Sequence, residues 1–461
     1  MAVPAFLARE RIIARPGFNR WLIPPAALAV HLCIGQAYAT SVYKTALVEH
    51  FDASLTSIGI IFSIAIVMLG LSAAVFGKWV DRNGPRAAMA TSAVFWVTGF
   101  LVGSLGIATE QLWLLYLGYG VIGGIGLGIG YISPVSTLIK WFPDRPGLAT
   151  GIAIMGFGGG ALIASPLTNQ LLSVFGGSGA NPDVNGIAET FLVMGLIYAV
   201  FMSVGWLLIR VPAPDWKPAG WDPAHAKTGT LITTANVSAR NAIRTPQFWL
   251  LWVVLCFNVT AGIGILERAA PIYSDFFPDP TSPQALAAAA AGFVAMLSLA
   301  NSVGRILWSS TSDFLGRKNM YRIYLGVGAL LYLGLTLLTN TNKVLFLLIS
   351  MLLLSFYGGG FATVPAYLRD LFGTYQVGAI HGRLLTAWST AGVLGPVIVN
   401  AIADARIAAG VAGPGRYTLS FTIMVGLLVV GFVCNELIRP VSERYHEPAQ
   451  EQPGTRTEAR A

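Results

Sequence analysis

Apolar runs of about 20 residues, the length that crosses a hydrocarbon core, alternate along this chain with short polar breaks. They fall near 21–46, 55–78, 87–107, 111–138, 148–172, 188–210, 247–274, 284–309, 320–338, 343–368, 380–405 and 417–438. The pattern predicts an all-α membrane protein with twelve transmembrane helices. One longer polar interval, 211–246, holds Pro212, Pro214, Asp215, Lys217, Pro218, Gly220, Asp222, Pro223 and Lys227. Prolines and glycines at that density break helices, so the interval reads as a linker. It divides the runs six and six: a segment 1–20, a first bundle 21–210, the linker 211–246, a second bundle 247–438 and a tail 439–461.

The two halves echo each other. Gly77–Arg86 (GKWVDRNGPR) follows the second run, and Ser309–Lys318 (SSTSDFLGRK) follows the second run after the linker. GIGYISPVSTLIKWF, 128–142, resembles GGGFATVPAYLRDLF, 358–372, with Pro134 and Pro365 in register. Two matches at corresponding places predict two pseudo-symmetric six-helix bundles, an architecture that places a site between the halves near the membrane midplane.

Composition agrees and narrows the function. Of 461 residues 55% are hydrophobic and only 11% charged, too apolar for a soluble chain of this length. The 52 glycines suit close helix crossings in lipid. A net charge of +8 does not point to nucleic acid, because the basic residues are spread over short connections instead of forming one stripe. Counted by side, Lys and Arg favour the side of the two termini by roughly fivefold to sixfold. Only Lys44, Lys343, Arg406 and Arg416 fall opposite, which predicts a multi-pass cell-membrane protein with both termini cytoplasmic. Cys33, Cys256 and Cys434 show no metal or disulfide spacing. Gly156 and Gly158–Gly160 lack the preceding strand and following Lys-Ser/Thr of a phosphate loop. No nucleophile–base set is visible, so the expectation is no enzyme, no cofactor and no metal.

Polar residues inside apolar runs carry the candidate chemistry. Arg305 lies eight residues before Asp313, a separation of ~12 Å on a helix. A cation that deep faces a bundle interior or a wet cavity and meets an anion there; the competing reading is an ion pair with Glu267, Asp275, Asp370 or Asp404. Arg is always charged and grips a carboxylate with two parallel hydrogen bonds. Glu267 and Arg268, adjacent near the outer end of the seventh run, read as an outer-gate contact, with proton coupling by Glu267 as the sharper alternative. His31 and Gln36 are polar groups in the first run that would bond neighbouring helices. Tyr357 and Phe361, four apart, share a helix face.

The Gly77–Arg86 pattern resembles the loop motif of the major facilitator superfamily, with a weaker copy at Asp313–Lys318. Asp81 is placed to pair with the arginines of that loop, and Gly77 and Gly84 permit close packing and a tight turn. The resemblance implies that Gly77, Asp81, Arg82, Gly84, Arg86, Asp313, Gly316 and Arg317 hold helix ends together without binding substrate. Within the superfamily the chain resembles the oxalate/formate antiporter family and, more distantly, proton-linked monocarboxylate carriers. The stretches HLCIGQAYATSVY (31–43), KWFPDRPGLATGIAIMGFGGGA (140–161) and RTPQFWLLW (244–252) carry that likeness. It implies alternating-access exchange of small carboxylates by a protein working as a monomer. Arg305 would bind the carboxylate, and Tyr38, Tyr131, Phe157, Tyr357 and Phe361 would line the cavity. Where the oxalate exchanger has a second cation, a lysine, this chain has Trp388. The alternatives are a proton symporter of a lactate- or pyruvate-like monocarboxylate and, from another class, a membrane sensor that does not transport.

Overall fold

The structure, a computed structural model, describes residues 4–175, 184–214, 216–221, 231–279, 281–337 and 342–448. Within these, the side chains of residues 41, 45, 55, 56, 184, 185, 267, 283, 284, 287 and 288 lie outside the description. The described chain is nearly all helical and contains twelve helices long and apolar enough to cross a membrane. They are α1 Arg20–Ala39, α2 Ser57–Asn83, α3 Pro85–Ala108, α4 Leu112–Trp141, α5 Pro146–Val174, α6 Gly186–Leu208, α7 Pro246–Leu266, α8 Ala289–Leu315, α9 Arg317–Leu337, α10 Lys343–Phe372, α11 Val377–Ala408 and α12 Thr418–Leu437.

Local chemistry sets the ends. Pro85, Pro146 and Pro246 each open a helix, where a missing N–H costs nothing and φ is already helical. Thr245 caps α7 by accepting from the Phe248 N–H at 3.3 Å, and Asn342 caps α10 from Leu345 at 3.0 Å. Gly84 and Gly316 hold φ at +89° and +85°, a region open to glycine and costly for other residues. Each ends one helix and starts the next at once, at the same place in the two halves.

The packing repeats with an offset of six. α1 lies on α5 and α6, α2 on α4, and α3 on α6; likewise α7 lies on α11 and α12, α8 on α10, and α9 on α12. The two six-helix bundles meet chiefly through α2 against α11 and α5 against α8.

Several helix ends differ from the apolar windows. Helix continues through Asn83 and through Leu315, so Gly77, Asp81, Arg82 and Asp313 are helical residues and only Gly84 and Gly316 form the turns. Hydropathy ends where the hydrocarbon ends, whereas backbone hydrogen bonds carry a helix on into the polar layer. The first run, read as 21–46, gives way to a 3-10 turn at Gly35–Ala39 and a separate helix at Ser41–His50. The seventh, read as 247–274, breaks at Arg268, after which Ala269–Phe276 forms its own short helix.

On the side of the termini the N-terminal segment threads under the first bundle. Ala14 N–H donates to the Val211 carbonyl and Val211 N–H to that of Ile12, both at 2.9 Å. Arg20 donates to both oxygens of Asp144 at 2.6 and 2.9 Å. Partial burial pushes the Asp144 carboxyl up, but the hydrogen bonds and charge of Arg20 more than reverse this and hold it below its ordinary range.

Candidate functional site

Arg305 projects from α8 ten residues before the helix end at Leu315, or ~15 Å along the axis. Its side chain has no exposed surface. Its Nε donates to Asn301 Oδ1 at 3.3 Å, one turn earlier on the same helix, and its Nη1 donates to the Ile154 carbonyl of α5 at 3.1 Å. The guanidinium lies 5.6 Å from the ring centroid of Phe361. These partners are neutral, and among the described residues Nη2 has no hydrogen-bond partner.

Three of the four acids that could have neutralised it are engaged elsewhere. Asp370 pairs with Arg317 and Arg369, both at 3.2 Å, Asp404 with Arg268 at 2.6 Å, and Asp275 with Arg416 at 2.5 Å. Arg268 also donates to Asn400 at 2.5 Å, so it bonds within its own bundle. The Glu267 side chain lies outside the described residues. A buried cation without a counter-charge is costly by several kcal/mol. Close approach makes the inter-bundle bond possible: a Cβ on Gly158 of α5 would stand 2.7 Å from Arg305 Nε. Glycine there lets the guanidinium lie across the helix face.

Around this cation the six aromatic positions read from sequence come together, three from each bundle. Trp388 of α11 packs on Tyr131 at 5.3 Å, on Phe157 at 5.4 Å and on Phe361 at 4.5 Å between ring centroids. Phe157 also meets Tyr131 at 5.3 Å and Tyr38 at 5.2 Å. Tyr357 meets Phe361 at 5.2 Å, and its hydroxyl lies 3.2 Å from that of Tyr38, joining the bundles. Two further polar atoms on these rings, Tyr131 Oη and Trp388 Nε1, are buried and unpartnered. With Arg305 Nη2 they make three buried donors without an acceptor among the described residues. Among the described residues no group of three or more His, Cys, Asp or Glu is placed to hold a metal ion.

The motif residues lie toward the termini, away from the aromatic cluster. Asp81 Oδ2 accepts from the Ala379 N–H at 2.8 Å, in the first turn of α11. Asp313 accepts from the Gly147 and Leu148 N–H groups at 2.9 and 3.0 Å, in the first turn of α5. Each carboxylate thus caps a helix of the opposite bundle, where free N–H groups and the helix dipole favour an anion. This corrects the expected pairing of Asp81 with loop arginines: Arg82 is exposed, and Arg86 donates to the carbonyls of Phe6, Trp206 and Leu207. Arg317 bridges Asp313 and Asp370. A Cβ on Gly77 would stand 2.7 Å from Ala379 Cα, so α2 and α11 are nearly in backbone contact. Thr150 donates to the Ala362 carbonyl at 2.7 Å and Ser389 to that of Ile66 at 3.1 Å, tying the bundles further.

Sequence reasoning missed Asn301, which steadies the guanidinium. Its i, i+4 spacing to Arg305 inside an apolar run was the available signal. It also missed His381, whose ring lies 5.9 Å from that of Tyr131; a single imidazole near a helix start carries no spacing to mark it. Gln36 proves structural, held by the hydroxyls of Tyr43 and Tyr119 at 3.2 and 2.9 Å.

A family profile described as Major Facilitator Superfamily matches residues 26–396 and 284–461. The oxalate:formate antiporter of Oxalobacter formigenes is 27% identical over 388 residues, covering 84% of this chain and 85% of that protein. Apicoplast pyruvate carrier 1 of Toxoplasma gondii is 26% identical over 370 residues, covering 71% of this chain and 65% of that one. Among solved structures, the fucose:proton symporter of Escherichia coli superposes with a TM-score of 0.63 at 16% identity, over 90% of this chain and 98% of the other. A bacterial homologue of the iron transporter ferroportin, in its outward-facing state, gives 0.65 at 15% identity with the same coverage. At these identities the structural likeness speaks for the fold alone.

Proposed function

The chain belongs to the Major Facilitator Superfamily and is a membrane transporter, and on that premise we propose that its cargo is a small monocarboxylate anion bound at Arg305. The observation that carries the reading is a fully buried guanidinium with no acidic partner among the described residues, beside two more unpartnered buried donors on Tyr131 and Trp388. A carboxylate would accept from Arg305 Nη2 and from the Trp388 and Tyr131 donors. It would also cancel a charge that no described acid compensates. The sequence likeness to an oxalate:formate antiporter and a pyruvate carrier agrees with such a cargo.

Trp388 sets the expected charge of that cargo. With an indole in place of a second cation, a dianion would leave one carboxylate poorly paired in low dielectric. Monoanions therefore fit better than oxalate.

Transport would proceed by alternating access, the two bundles rocking about the bound anion. Asp81 and Asp313, each capping a helix of the other bundle, would hold the terminus side shut, and that side would be cytoplasmic. Because the aromatic cluster is built from both bundles of one chain, a monomer would suffice. A neutral Arg–carboxylate pair crosses the barrier more easily than a bare cation, which favours exchange. The test is counterflow in proteoliposomes, with labelled formate, lactate and pyruvate competed by mono- and dicarboxylates. Trans-acceleration with monoanions preferred is the expected result. A clear preference for oxalate would overturn the monoanion reading, and no counterflow of any carboxylate would overturn the cargo.

A further inference from the structure

Seven residues before Trp388 on α11 stands His381, buried and near the helix start. Its ring lies 5.9 Å from that of Tyr131 of α4, on which Trp388 also packs, so both side chains leave α11 toward the first bundle. Gly378 and Gly382 press instead on α2, at Asp81 and Ala73. His381, one residue from Gly382, is turned ~100° from that contact, and Asp81 caps the Ala379 N–H on the α2 side. The Nε2 of His381 and the hydroxyl of Tyr131 are both buried, and among the described residues neither has a hydrogen-bond partner. His31 of α1 differs: it stacks on Tyr131 at 5.5 Å with both ring nitrogens against the carbonyls of Ala153 and Tyr131. A buried polar group without a partner is costly, and here two of them stand on neighbouring rings across the boundary between the bundles.

Depth along the helices orders these groups. Arg305 is ten residues from the terminus-side end of α8 and Trp388 eleven from that of α11, or ~15 and ~16 Å in. His381 is four residues from the start of α11 at Val377, ~6 Å in, and so stands about 10 Å closer to the terminus side. Arg305, Trp388 and His381 all belong to the second bundle and would travel with it as the bundles rock, whereas Tyr131 would travel with the first. Opening the terminus side then parts the rings of His381 and Tyr131 and leaves both on the walls of the way out. A carboxylate that leaves a guanidinium for a low-dielectric passage loses its pairing at once. A neutral donor lying beyond offsets part of that loss and, being weaker than Arg305, lets the anion go.

We propose that His381, with the Tyr131 hydroxyl, is a second carboxylate subsite on the terminus side of Arg305, occupied as that side opens. In the tautomer with its proton on Nε2, the imidazole donates one hydrogen bond and the phenol another to the two oxygens of the carboxylate. No covalent bond changes and no net charge is supplied, so the subsite holds the anion less tightly than the guanidinium does. It acts at one face of the membrane. Affinity for cargo exchanged with the terminus side depends on His381, and affinity at the opposite face depends on Arg305 without it. The inference rests on the carboxylate reading above and adds to it the residue that sets affinity at one face.

Sided transport tests it. Right-side-out and inverted vesicles from cells expressing the full chain, loaded with unlabelled formate, take up labelled formate from opposite faces. Protease access to a C-terminal tag tells which vesicles present the termini outward, and uptake by vesicles from cells without the chain is subtracted. His381→Leu, which fills the space without a donor, should raise the half-saturating formate concentration roughly 3- to 10-fold at the terminus face and leave it unchanged at the opposite face. His381→Gln, which restores an N–H, should return most of the loss. Equal rises at both faces, no rise at the terminus face, or a rise that Gln does not relieve overturns the subsite and leaves the cargo standing. An unaltered protein that exchanges formate, lactate and pyruvate at neither face overturns the cargo and the subsite with it. Should neither His381 variant reach the membrane, Tyr131→Phe, which removes one hydroxyl, should raise the value at both faces and by the larger factor at the terminus face; any other pattern overturns the proposal.

Discussion

A guanidinium whose protein partners are a carbonyl, an amide oxygen and a phenyl face keeps its full charge and its need for an anion. Arg305→Lys keeps the charge and loses the planar fork. Apparent affinity in the counterflow assay should fall about 10- to 100-fold, or about 1.4–2.8 kcal/mol, with the protein still folded. Unchanged affinity would mean that the fork does not touch the cargo. At Trp388 the change runs the other way. Trp388→Lys places a second cation against Tyr131, Phe157 and Phe361 and should shift competition toward oxalate by roughly tenfold relative to formate. A competition series on the two proteins checks it. Arg305 was legible in the sequence because a lone cation in an apolar run has few explanations. Its partner Ile154 was not, since a backbone carbonyl 151 positions away leaves no mark in residue identity.

At the scale of the helix, the two motif copies act as caps on elements of the opposite bundle. Asp81 on α11 and Asp313 on α5 each place a carboxylate at a helix N-terminus, an interaction worth about 0.3–1 kcal/mol apiece and more when partly buried. The pair Asp81→Asn and Asp313→Asn should weaken closure of the terminus side by about 1–2 kcal/mol, shifting the open-to-closed ratio 5- to 30-fold. Spin-label distances between the terminus-side ends of α2 and α11 measure it, and an unchanged distance distribution would remove the caps from the closing mechanism. The spacing of Gly84 and Gly316 was readable beforehand, because a residue at positive φ must nearly always be glycine. The partners of the two acids were not, because N–H groups at a helix start exist in every sequence and only packing decides which acid reaches which helix.

Across the whole molecule, the connections under the bundles decide how firmly the first bundle is seated. The Arg20–Asp144 pair joins the start of α1 to the turn between α4 and α5, and the Asp144 carboxyl is held below its ordinary range. A carboxyl so depressed adds stability that is fully present above the unfolded value near ~3.9 and is lost as pH falls through the lower folded value. Asp144→Asn should therefore cost about 1 kcal/mol equally at pH 7 and pH 5, the deficit closing only in more acid solution. Thermal midpoints at the two pH values test this, and a deficit that already closes between them would contradict it. The sequence by itself determined the twelve spans, the duplicated halves and the residues able to carry charge into the membrane. Hydropathy, repeats and buried ionisable side chains are properties of residues in order, and lipid admits few structures for them. Only the tertiary structure decided that six aromatics from two bundles close on one guanidinium, that Asp275, Asp370 and Asp404 are engaged elsewhere, and that His31 faces two carbonyls. Those facts depend on which helix faces lie within about 3 to 6 Å of one another, a matter of packing between segments far apart in the chain.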